Sequence, residues 1–130
     1  MFEEDVDFEV LIGKTIKEIK EFPNELLFIT DDGKYLMKHD QECCESVYLE
    51  DVCGDLTDLI GSEIVTAKVT TNSDMPPLDD DDSYTWTFYD LATIHGAVTF
   101  RWYGTSNGYY SEEVDFYKIN DDKEEENGNL

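Results

Sequence analysis

Residues 84 to 104, "YTWTFYDLATIHGAVTFRWYG", constrain the fold most. Two runs rich in aromatic and β-branched residues flank a His95-Gly96 turn, the pattern of a β-hairpin. In the first run Tyr84, Trp86 and Phe88 share one face, and Thr85, Thr87 and Tyr89 the other. In the second, Val98, Phe100 and Trp102 oppose Thr99, Arg101 and Tyr103. After a turn at "SNG", "YYSEEVDFYKI" continues as a strand through Val114, Phe116 and Lys118. The aromatic set Tyr84, Trp86, Tyr89, Trp102, Tyr103, Tyr109 and Tyr110 is expected to line the core on one face. Any exposed members would offer an interaction surface.

A second feature is a repeat. "LIGKTIKEIK" starts at Leu11 and "LIGSEIVTAK" at Leu59, and a hairpin signal follows each. The first hairpin is "LLFITDDGKYLMKH", which turns at Asp32-Gly33. Aligning the turns places Gly33 on Gly96 and His39 on Trp102. Internal duplication of a strand-plus-hairpin unit and convergent turn chemistry both account for it.

Helices are expected at two places. Ile12, Ile16 and Ile19 suit a helix as well as a strand. "ESVYLEDVCGDLTDLIG" turns Val47, Leu49, Val52, Leu56, Leu59 and Ile60 to one side, with a stop at Gly61. The expected class is α+β: mainly antiparallel β hairpins with one or two short helices. With 130 residues and 40% apolar content, the chain reads as a single compact acidic domain over 1–119. A flexible loop is expected at 72–83 and a disordered acidic tail at 120–130. No apolar run is long enough to cross a membrane as a helix. The acidic N-terminus does not resemble a signal peptide. The expectation is an intracellular protein and a monomer.

Charge limits the partners. Against 32 acids the chain has 9 bases, a formal charge of −23. That surface repels nucleic acid and anionic membrane, and attracts basic proteins and metal cations. Fifteen acids fall in residues 1–10, in Asp74 with Asp79, Asp80, Asp81 and Asp82, and in the tail. Residues 40 to 58 hold seven more and no base. Glu45, Glu50, Asp51 and the Asp79, Asp80, Asp81, Asp82 run are the candidate partner-binding acids.

All three cysteines lie between residues 43 and 53, just after one of two histidines. An odd cysteine count suits an intracellular chain better than a disulfide framework. His39, Cys43, Cys44 and Cys53 are four soft donors, the number a closed structural zinc site requires. Adjacent Cys43 and Cys44 point apart on a strand, so both ligate only from a bend. Otherwise His95 or one of Glu42, Glu45 and Asp55 would complete the shell. The competing reading makes the cysteines small buried hydrophobes. A catalytic thiol is disfavoured, because surrounding acids suppress the thiolate. Motifs of hydrolases, phosphate-binding loops and zinc proteases are missing, and no catalytic residue is assigned. The aspartate run lacks calcium-loop spacing.

The strings "HDQECCESVYLEDVCGDLTDLIG" and "YTWTFYDLATIHGAVTFRWYGTSNGYYSEEVDF" resemble a family of small phage and prophage proteins that includes a type II-A anti-CRISPR protein. The resemblance spans roughly residues 9 to 118. It implies a zinc-containing inhibitor that binds the recognition lobe of the host's RNA-guided nuclease and blocks loading of target DNA. It places the Zn²⁺ on His39, Cys43, Cys44 and Cys53, and the protein in the bacterial host's cytoplasm. A small metal-dependent enzyme acting on a nucleotide or defence signal is the alternative.

Overall fold

The computed structural model describes residues 2–41, 44–72, 76, 83–106 and 111–120. Among these described residues the elements are nine β-strands and two single 3-10 turns. In chain order these are β1 (Phe2–Asp5), a first 3-10 turn (Phe8–Leu11), β2 (Ile16–Phe22), β3 (Glu25–Thr30) and β4 (Gly33–Lys38). There follow β5 (Ser46–Cys53), a second 3-10 turn (Leu56–Leu59), β6 (Thr66–Asn72), β7 (Ser83–Thr93), β8 (Gly96–Ser106) and β9 (Asp115–Asn120). One sheet has the order β1-β9-β4-β3-β2 and the other β5-β8-β7-β6, all pairs antiparallel.

The inner faces of the two sheets share one core. Phe28 of β3 meets Phe100 of β8 edge-on, with ring centres 5.6 Å apart. The Trp102 indole N–H points at the Met37 sulfur, 3.2 Å away. Phe8 of the first turn lies between Tyr89 and Phe116, at 4.7 and 5.1 Å. Leu11, Ile16, Leu26, Leu59, Ile64 and Leu91 complete a buried apolar centre.

This is an all-β architecture, which corrects the α+β expectation. Among the described residues neither segment expected to be helical forms an α-helix. The first forms β2 from Ile16, the second forms β5 followed by the 3-10 turn at Leu56–Leu59, and β-bulges explain the misleading spacing. In β2 the register slips between Ile16 and Glu18, and in β5 between Leu49 and Asp51. A bulge inserts one residue, so side chains three apart reach the same face. Thus Ile16 and Ile19, and likewise Leu49 and Val52, pack on the core at an i, i+3 spacing that imitates a helix. Gly54, at φ 128°, then ends β5.

The aromatic residues also divide differently. Tyr89 and Trp102 face the core, whereas Trp86 packs on Tyr103 at 4.6 Å on the outer face. Tyr84, Tyr48 and Phe88 extend that outer layer, and Pro76 covers it by accepting from the Trp86 indole. Tyr109 and Tyr110 lie outside the described residues.

The two L-I-G segments follow the same local path. Each ends a 3-10 turn with a buried leucine, Leu11 or Leu59, then exposes an isoleucine, Ile12 or Ile60. A left-handed glycine follows, Gly13 at φ 91° or Gly61 at φ 89°, a conformation that disfavours any side chain. The segments also bind each other. Gly13 N–H donates to the Ile64 carbonyl at 2.8 Å, and Gly61 N–H to the Ile16 carbonyl at 2.9 Å. Under the L-I-G alignment these are the same bond made twice, as a local two-fold requires. Thr15 faces Glu63, its own counterpart, across the axis.

Candidate functional site

The corner between β4 and β5 holds the histidine singled out in the sequence. His39 follows β4 directly and Glu45 directly precedes β5, and the two side chains meet. The His39 Nε2 lies 2.7 Å from the Glu45 carboxylate, and Nδ1 lies 2.7 Å from the Glu113 carbonyl. Their side chains are 5% and 0% exposed. The Gln41 amide donates to the Glu45 carbonyl. Because a carbonyl only accepts, Nδ1 must carry a proton. A second proton sits between Nε2 and the carboxylate. Both ring nitrogens are therefore engaged by protein oxygens.

Cys53 sits at the opposite end of β5. Seven strand residues lie between it and Glu45, a span of roughly 25 Å at ordinary strand rise. Its Sγ donates to Asp51. Desolvation of the sulfur first, then that hydrogen bond and the Asp51 charge, raise the thiol pKa. Cys53 is a free, exposed thiol, and Cys44 is disulfide-bonded. Cys43 and Glu42 lie outside the described residues. The structure does not bring His39, Cys44 and Cys53 together. Both His39 ring nitrogens face protein oxygens, and Cys53 lies at the far end of β5. Among the described residues no group of three or more His, Cys, Asp or Glu is arranged around a metal position. His95 is exposed on the β7–β8 turn, and Asp55 accepts from Thr57 at the second 3-10 turn.

The candidate contact acids divide as well. Glu45 is buried beside His39, so it serves the fold and offers a partner no surface. Glu50 and Asp51, on the edge strand β5, clasp Arg101 of β8 at 2.6 and 3.4 Å. The Arg101 guanidinium also lies over the Trp86 ring. Asp79, Asp80, Asp81 and Asp82 lie outside the described residues.

Glu112 was not singled out by the sequence. Its carboxylate, on a residue 9% exposed, accepts from Ser83, Thr85 and Ser106 at 2.5, 2.8 and 2.7 Å. It pins the start of β7 and the end of β8 to the approach to β9. Those hydroxyls lie up to 29 residues away, so no local spacing announces the cluster.

The family model for a domain of unknown function, DUF7448, matches residues 9–116, and the chain belongs to that family. No curated protein and no solved structure matches it. No helix among the described residues is long and apolar enough to cross a membrane.

Proposed function

We propose that this protein acts by binding, as an acidic partner for a basic protein surface that otherwise holds nucleic acid. The observation that carries this reading is the charge surplus. If each of the 9 bases paired with one acid, 23 acids would still lack a basic counterpart. A basic groove built for a phosphate backbone would attract such a surface through the same field. The sequence resemblance suggests the partner: the type II-A RNA-guided nuclease, whose channel reads heteroduplex geometry and backbone. In this reading the protein blocks target DNA rather than processing a substrate.

Titration against the guide-loaded nuclease tests the proposal. The expected result is a one-to-one complex that forms before target DNA is added and fails to form once DNA is bound. Complete inhibition at a trace molar ratio would instead indicate turnover and refute it. Absence of any complex would remove the nuclease as partner.

A further inference from the structure

An open groove runs between β1, the first 3-10 turn, β6 and β9. Its outer part, of about 630 Å³, is lined by Asp5, Val6, Asp7, Glu9 and Val10. An inner part of about 270 Å³ reaches Val69, Val114 and Asp115 over the Phe8, Tyr89 and Phe116 rings. The groove thus has an apolar floor and an acidic rim, and among the described residues none of the lining is basic. The floor is preformed: Phe8 is wedged between two rings, and the Tyr89 hydroxyl donates to the Val114 carbonyl. Val69 stays 44% exposed on the floor. Burial pushes the Asp115 carboxyl above its ordinary pKa; the Tyr117 hydrogen bond and His39 oppose this, and the Asp5 and Asp40 charges add to it. An added cation would relieve that crowding.

We propose that this groove takes a lysine- or arginine-rich segment of the partner protein. This deepens the reading above and rests on it. Lysine and arginine have apolar stems and charged heads, which match an apolar floor and an acidic rim. Other occupants fail on charge. The chain's residues 121–130 carry five acids and one lysine, a second copy carries −23, and nucleic acid is an anion.

The test uses the full chain and a fluorescein-labelled ten-residue peptide of alternating lysine and leucine, with a glutamate-leucine peptide as control. Anisotropy gives affinity, and methyl NMR locates the site. The expected result is binding of the lysine peptide alone, with shifts at Val6, Val10 and Val69. Asp7→Lys with Glu9→Lys should weaken binding about tenfold or more, whereas Glu18→Lys with Glu21→Lys, equal in charge change, should weaken it less than about threefold. The Asp7 side chain caps no N–H, so the first pair removes no cap bond. Far-UV circular dichroism checks that both variants fold. Equal weakening by both pairs, no peptide binding, or shifts confined to other surfaces overturns the groove. A parallel titration of the unaltered chain against the nuclease shows whether the wider reading falls with it.

Discussion

The two hairpins that follow the L-I-G segments share a backbone and differ in chemistry. In both turns a threonine hydroxyl accepts from the N–H two residues on: Asp32 to Thr30 at 3.0 Å, and His95 to Thr93 at 3.1 Å. Each turn closes with glycine, Gly33 or Gly96, in register with that threonine. The first tip is held by charge. Asp32 pairs with Lys14 and Lys118 at 3.2 and 3.5 Å and accepts from Tyr35. The second is held by the Thr93 hydroxyl, which donates to the Asp58 carbonyl, and leaves Ile94 82% exposed. Backbone geometry can therefore recur while the side chains at a tip remain free to vary.

The largest effects should come from the connection between the halves. Glu45→Ala leaves His39 buried without its partner and should cost about 3–5 kcal/mol in urea denaturation. Cys53→Ala, at the other end of β5, should cost less than about 0.5 kcal/mol. Equal large losses would mean that Cys53 also holds the fold, as a shared metal would require.

Ile16→Ala and Ile64→Ala probe the local two-fold. Both residues are buried, at 0% and 1% exposure, and each substitution should lose about 2–5 kcal/mol. A loss at one site only would break the equivalence.

Acid should separate the two tips. The Lys14 hydrogen bond, then Tyr35 and Lys118, lower the Asp32 pKa below the usual 3.8. A group lowered on folding stabilises the fold above its unfolded pKa and loses that contribution as pH falls through the folded value. Melting followed from pH 5 down to pH 2 should show a decline that Asp32→Asn reduces. Altering the second tip should leave the decline unchanged. The smallest effect is expected for Ile94→Ser, within about 0.5 kcal/mol at such an exposed position.

These differences also mark what the sequence could reveal. The β7–β8 hairpin and the two glycine turns were legible because turn chemistry is local. Strand β5 was misread, and β2 left open between helix and strand, because their bulges convert period two into a helical spacing. The faces of β7 were ambiguous because both are covered: Trp86 and Thr87 are adjacent, and both are buried. The His39–Glu45 contact hid behind a stronger suggestion, since a histidine beside three cysteines resembles a ligand set. Its ring partners, Glu45 and Glu113, lie 6 and 74 residues along the chain, at spacings that no local pattern marks.

If uncompensated negative charge drives association with a basic protein, the rate of association must depend on salt. Stopped-flow association with the guide-loaded nuclease, at 50 and 200 mM salt, tests it most directly. Steering by exposed charge is screened over about 10 Å at 0.1 M salt, so the on-rate should fall about tenfold or more. An on-rate that stays level across that range would contradict the account.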